Sequence, residues 1–265
     1  MSDAHLLIEH RGHVAILTLN DPKTRNAFSK EMMVRMADAL RACEEDPSVR
    51  AIVITGAEGN FSSGSNLKEQ VTRHETEWQR RLDEDEELWM RAFLRKDRPS
   101  KPLIAAIEGF ALAGGTEVTL GTDIRVAGKS AMFGLSEVKL GLVPLGGGTA
   151  RLVKQIPYSI AIEMLISGRR MTAEEAASWG LIGHVVDDGQ ALEKALEIAE
   201  TIAENGPIAV RTVLKLAREN ADLPEEQALA NELKRGFSRA TSAEAIEGRT
   251  AFAQKRKPNF KDSEE

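Results

Sequence analysis

Five consecutive residues, Ala51-Ile52-Val53-Ile54-Thr55, constrain this chain most. The run is short, continuous and β-branched, which predicts a strand buried on both faces. Such a strand needs neighbours, and the preceding residues supply them. Residues 6–9 and 14–19 alternate around Arg11-Gly12, which suggests a hairpin closed by Asp21-Pro22. From Ser29, a predicted N-cap, Met32, Met33, Met36, Ala39 and Leu40 share one helical face, and Asp46-Pro47 ends that helix. The first 55 residues therefore read as strand–strand–helix–strand. A second buried strand follows Pro102 over 103–108, then a turn over 109–115 and a short helix from Thr116 to about Leu120.

Further on, short strands or turns are expected over 123–127 and 131–134, and a strand over 182–186. Helices are expected over 148–155, 160–167 and 172–180. The last is opened by Thr172 with Glu175 three residues on, a capping-box pattern. Everything from Gln190 reads as helical, and Gly206-Pro207 divides an expected core over 1–205 from a C-terminal helical unit over 206–265. Residues 66–98 are highly charged but carry Trp78, Leu82, Leu88, Trp89, Phe93 and Leu94; they fit either a solvated helical face or a cover over a substrate.

With 265 residues the chain can bury a sizeable core, and its 42% hydrophobic and 29% charged content is that of an ordinary globular protein. A net charge of −6 argues against broad nucleic-acid binding. Cys43 is the only cysteine, which leaves no internal disulfide framework, and a small buried apolar role is its default. His5, His10, His13, His74 and His184 form no spaced ligand set, so no metal is expected. The N-terminus shows no basic-then-apolar leader and no apolar stretch reaches 18 residues, so the expectation is a cytoplasmic protein without a membrane anchor.

Two glutamates twenty residues apart carry the chemical signal. They stand in Ala113-Gly114-Gly115-Thr116-Glu117 and Phe133-Gly134-Leu135-Ser136-Glu137. Two carboxyl groups on one substrate divide proton acceptance and delivery, as adding water across an activated double bond requires. Glu117 also has a bland reading, a first-turn carboxylate that offsets the helix dipole. The small-residue loop Phe61-Ser62-Ser63-Gly64-Ser65-Asn66-Leu67 and the helix start at Gly114 both leave backbone N–H groups uncovered. One N–H from each, aimed at a thioester oxygen, makes an oxyanion hole.

These segments, with Lys101-Pro102-Leu103-Ile104-Ala105-Ala106-Ile107-Glu108-Gly109, Thr122-Asp123-Ile124-Arg125 and the closing Ala251-Phe252-Ala253-Gln254-Lys255, resemble the enoyl-CoA hydratase/isomerase (crotonase) family in order and spacing along essentially the whole chain. The resemblance implies an α/β fold, a superhelix of ββα units with a helical C-terminal trimerisation region, assembled as a homotrimer or a dimer of trimers. It implies an acyl-CoA thioester substrate, with CoA part of that substrate and no separate cofactor. Carried over by position, the oxyanion N–H groups fall on Ser65 and Gly114, and the water-activating carboxylates on Glu117 and Glu137. Retention of both favours hydration; the alternatives are a Δ3,Δ2-enoyl-CoA isomerase and a silent acyl-CoA binder. Ser63 would lie against adenine, with Leu67 beside it in the binding loop. Arg25 and Lys68 would approach the CoA phosphates and Lys255 a phosphate on a neighbouring subunit, or each is an ordinary solvated charge. Three positions depart from the family pattern: Asn66 for aspartate, Ser136 for proline, and Leu145 for glycine beside the expected water.

Overall fold

The hairpin forms where alternation puts it. In a computed structural model describing residues 4–71 and 74–262, β1 (Leu6–Arg11) pairs antiparallel with β2 (Val14–Leu19). Gly12 turns the corner at φ +56°, a conformation that strains any residue with a Cβ. α1 (Lys30–Glu45) crosses over to β3 (Ala51–Gly56), which lies parallel to β2 with Val14 opposite Ala51. Ser29 caps α1 as the sequence predicts, its hydroxyl accepting from the Met32 N–H at 3.1 Å. At the other end the fully buried Lys101 ammonium donates to the Cys43 and Asp46 carbonyls, closing groups that the helix leaves unpaired.

The segment after β3 forms three short helices, α2 (Leu67–Val71), α3 (Glu77–Glu84) and α4 (Leu88–Ala92). α3 is seated on α1: Arg81 donates to Asp38 at 2.9 and 3.2 Å, and the Arg35 guanidinium lies 4.9 Å from the Trp78 ring centre. β4 (Leu103–Ile107) continues the sheet in parallel with β3.

The chain then departs from the simple reading. Residues 109–115 are not all turn, because β5 (Phe110–Leu112) starts a second sheet inside them. Its Ala111 also bridges Ser62, so the loop after β3 is stitched to it. α5 (Gly114–Gly121) begins two residues earlier than the apolar pattern suggests. β6 (Ile124–Gly128) returns to the first sheet and β7 (Met132–Gly134) to the second, and this alternation is the ββα repeat. β8 (Arg170–Thr172) completes the second sheet; three residues paired only at long range leave no local signal. α6 (Gly148–Gln155) and α7 (Tyr158–Ser167) lie between β7 and β8.

α8 (Ala173–Ser178) has half a capping box. Thr172 Oγ1 accepts from the Glu175 N–H at 3.1 Å, but the Glu175 carboxylate goes to Arg169 at 2.7 Å. β9 (His184–Val186) is the last strand of the first sheet, whose order is β1-β2-β3-β4-β6-β9.

Both faces of that sheet are covered, which is why β3 is apolar at successive positions. Ile52 and Ile54 join the core shared with α1, while Ala51 and Val53 face α9 (Ala191–Ala203). The alanines Ala191, Ala195, Ala199 and Ala203 let that helix approach closely. α10 (Pro207–Asn220), α11 (Glu225–Ala240) and α12 (Ala243–Ala253) end the chain. Arg218 of α10 ties them to the sheet through Asp123 at 2.8 Å and the Pro99 carbonyl at 2.6 Å. No helix among the described residues is long and apolar enough to cross a membrane.

Candidate active site

Backbone hydrogen bonds bring the two small-residue loops together. Phe61 N–H donates to the Glu108 carbonyl at 2.8 Å, Ser62 N–H to Phe110 at 2.7 Å, and Leu112 N–H to Ser62 at 2.9 Å. The closeness demands glycine at 64: at its φ of +101° a Cβ would stand 2.8 Å from the Ala113 Cβ and 3.3 Å from the Gly114 nitrogen. Ala113 itself sits at φ +49°, ψ −121°, held by its N–H donating to the Gly134 carbonyl at 2.6 Å. A non-glycine residue there costs on the order of 1–3 kcal/mol, and such strain gathers at functional sites.

The strained turn leads into Gly114, the first residue of α5, whose N–H has no acceptor within the helix. Ser65 bridges Phe28, but the bonds used are Phe28 N–H to the Gly64 carbonyl and Asn66 N–H to the Phe28 carbonyl. Among the described residues the Ser65 N–H is thereby left over. A Cβ on Gly114 would lie 3.6 Å from Ser65 Oγ, so the two unspent donors are neighbours.

Glu117 follows within the first turn of α5 and is 4% exposed. Its Oε1 accepts from the Gly148 N–H at 2.9 Å, and the Gly146 N–H faces the same carboxylate, whose Oε2 packs against Gly146. Burial pushes its pKa up, while those two donors and the Arg95 and Arg151 charges pull it part of the way back. Glu137 opens a 3-10 turn, Glu137–Leu140, and its surroundings differ. Its Oε2 is buried with no hydrogen-bond partner among the described residues. Burial pushes its pKa up to about 7, opposed by its own N–H and reinforced by the nearby Glu117 charge. One carboxyl is clamped in a form that suits charge; the other is left in a form that suits a proton.

Both glutamates open onto one cavity of about 530 Å³, whose other walls are mostly apolar: Met33, Leu82, Trp89, Phe93, Leu142 and Val143. Leu82, Trp89 and Phe93 come from the charged 66–98 stretch, so that stretch forms a wall of the cavity. Ser63, Ser65, Leu67 and Leu145 line it too. Among the described residues no group of three or more His, Cys, Asp or Glu is placed to hold a metal ion.

A model of the family described as enoyl-CoA hydratase/isomerase matches residues 9–263. The chain belongs to that family. It is 48% identical over 261 residues to enoyl-CoA hydratase EchA19 of Mycobacterium tuberculosis, covering 96% of this chain and 95% of that protein. It is 35% identical over 261 residues to the 2,3-dehydroadipyl-CoA hydratase of Escherichia coli, covering 97% and 99%. The crystal structure of another enoyl-CoA hydratase from Mycobacterium tuberculosis superposes with a TM-score of 0.89 at 35% identity, covering 98% of this chain and all of that one.

The remaining positions carried over from the hydratase/isomerase family fall in different places. Ser63 is fastened beside Arg25, its hydroxyl donating to the Thr24 carbonyl at 2.8 Å and its N–H to the Arg25 carbonyl at 2.9 Å. The exposed Arg25 guanidinium lies 5.2 Å from the Phe110 ring centre, and Arg170 lies 5.1 Å from the same ring. Asn66 turns from the cavity; its amide donates to Glu69 at 3.2 Å. Lys68 is exposed on α2, and Lys255 is exposed beyond α12; neither lines the cavity of this chain. Leu145 stands at the cavity mouth, 64% exposed, while the next peptide's N–H, that of Gly146, reaches Glu117. Sequence reasoning missed Gly146, Gly148, Arg95 and Arg170. The first two had a signal in the run Gly146-Gly147-Gly148; the arginines had none.

Proposed function

We propose that the chain is an enoyl-CoA hydratase that adds water syn across a trans-2-enoyl-CoA to give a 3-hydroxyacyl-CoA. The thioester oxygen accepts from the Ser65 and Gly114 N–H groups, which stabilise the negative charge that develops there. Glu117, ionised, orients a water and takes its proton as the oxygen bonds to C3. Glu137, protonated, gives its proton to C2. The two carboxyls end with exchanged protonation and reset by passing one proton back. CoA belongs to the substrate, and the chemistry calls on no redox cofactor or metal.

The observation that carries this reading is the contrast between neighbouring carboxyls, one held by the Gly148 N–H and faced by that of Gly146, the other with its Oε2 buried without a partner among the described residues. The apolar cavity supports a hydrocarbon acyl group. Strongly exposed apolar residues on the C-terminal helices, Leu233 and Phe237 of α11 and Phe252 of α12, support reading 206–265 as an assembly region, which the family resemblance makes that of a trimer or a dimer of trimers. A sedimentation run that finds only monomers removes that part.

The test follows the absorbance of the conjugated thioester with crotonyl-CoA and a bulkier 2-enoyl-CoA. Glu117→Gln and Glu137→Gln should each lower turnover by about 10³-fold or more. Isomerisation of a 3-enoyl-CoA without hydration, or binding without turnover, rejects the proposal.

A further inference from the structure

The peptide joining Leu145 to Gly146 is held from both sides. Its carbonyl accepts from Arg95 Nη1 at 2.5 Å, and its N–H faces the Glu117 carboxylate, against which Gly146 is packed. A trans peptide is planar with C=O and N–H pointing opposite ways, so holding the carbonyl aims the N–H. No side chain intervenes: a Cβ at position 146 would stand 2.6 Å from Glu117 Oε2. Arg95, Leu145–Gly146 and Glu117 therefore form one line of contacts running from a cation, through a hydrogen-bonded peptide, to a carboxylate packed against it.

Arg95 is placed for this and little else. Its guanidinium lies 5.4 Å from the ring centre of Trp89, a wall of the cavity. It has no carboxylate partner among the described residues. Arg91, one turn earlier, is the contrast: Asp85 at 2.6 Å, Asp97 at 2.7 Å and Glu87 at 2.9 Å neutralise it, which is the ordinary fate of an arginine at such a site. A charged donor polarises the peptide it binds and strengthens the bond that the peptide's N–H makes beyond it.

We propose that Arg95 is a positioning residue for the general base: through the Leu145–Gly146 peptide it keeps Glu117 aimed at the substrate water and in its charged form. The proposal rests on the reading of Glu117 as the base. It also gives the Leu145 departure a place, since the side chain there faces the cavity mouth while its carbonyl is the relay's acceptor.

The experiment measures kcat and KM against pH for crotonyl-CoA hydration in the wild type, Arg95→Ala, Arg95→Lys and Glu117→Gln. Arg95→Ala removes both the cation and the donor, so Glu117 holds its proton more tightly. Its acid limb should move to higher pH while the alkaline limb stays. At neutral pH kcat should fall about tenfold, with KM changed less than about twofold. Arg95→Lys keeps a cationic donor and should recover most of the loss. If Arg95→Ala does not fold, Arg95→Gln, which keeps an N–H donor and no charge, carries the same comparison. A pH profile that superposes on the wild type, or a loss confined to KM, overturns the relay while a dead Glu117→Gln leaves the base assignment standing. Turnover surviving in Glu117→Gln overturns both.

Discussion

Replacing Glu137 with glutamine should make the protein more stable in alkaline solution while removing its activity. The carboxyl is pushed from an ordinary value of 4.5 up to about 7, first by burial and then by the Glu117 charge. The native state therefore binds a proton that the unfolded chain has released throughout that interval. Stability falls as pH rises across it, because the proton must leave a group buried without a partner. At about 1.36 kcal/mol for each tenfold change in proton affinity the shift would be worth at most about 3 kcal/mol, and because Glu137 is only half-buried, solvent screening reduces the loss above pH 8 to about 1–2 kcal/mol. Glutamine fills the same volume without the charge. Any cost of its amide N–H groups is the same at every pH and cancels when the stability gain at one pH is subtracted from that at another. Urea unfolding at fixed protein concentration, followed by tryptophan fluorescence, measures it. Glu137→Gln should exceed the wild type by about 1–2 kcal/mol more at pH 8.5 than at pH 4, and by an intermediate amount near pH 5.5. A gain that does not vary with pH, or one that shrinks as pH rises, refutes the argument that Glu137 is stored in its protonated form.

Gly146→Ala places a methyl 2.6 Å from Glu117 Oε2 and 2.8 Å from the Phe93 ring. It should lower kcat about 10²-fold by displacing the base, and a value within about threefold of wild type would show that Glu117 does not depend on that approach. Lys101→Met keeps the stem but strips the Cys43 and Asp46 carbonyls of their donor, so unfolding should come about 2–3 kcal/mol sooner with kcat per folded molecule unchanged. Unaltered stability would mean that the end of α1 finds other partners.

The legible parts of this molecule are the ones whose cause is local. Ser29 and Thr172 announce helices because a hydroxyl reaches an N–H only three residues away. The β3 run announces a strand because both of its faces are covered. β5 and β8 were not legible: each has three residues, and the second sheet holds them through partners twenty or more positions distant. The split of 66–98 into three helices likewise follows from tertiary anchors, Arg81 on Asp38 and Trp78 beside Arg35, rather than from any periodicity.

The site divides along the same line. The donors we propose for it are peptide N–H groups at Ser65, Gly114, Gly146 and Gly148, and a peptide N–H reaches a ligand or a carboxylate most readily where no bulky side chain crowds it. Hence glycine runs are the trace that this kind of chemistry leaves in a sequence, and two of them led to Glu117. The groups that adjust those peptides leave no such trace. Arg95 is one arginine among many charged residues in its segment, and only the path from its guanidinium through the Leu145 carbonyl to Glu117 sets it apart. A carboxylate's identity is thus readable from the chain, but its proton affinity is a property of the assembled surroundings. That is why a pair of glutamates in the sequence suggests acid–base chemistry, while the division we propose, one to hold the proton and the other to take it, rests on the surroundings that the fold gives each.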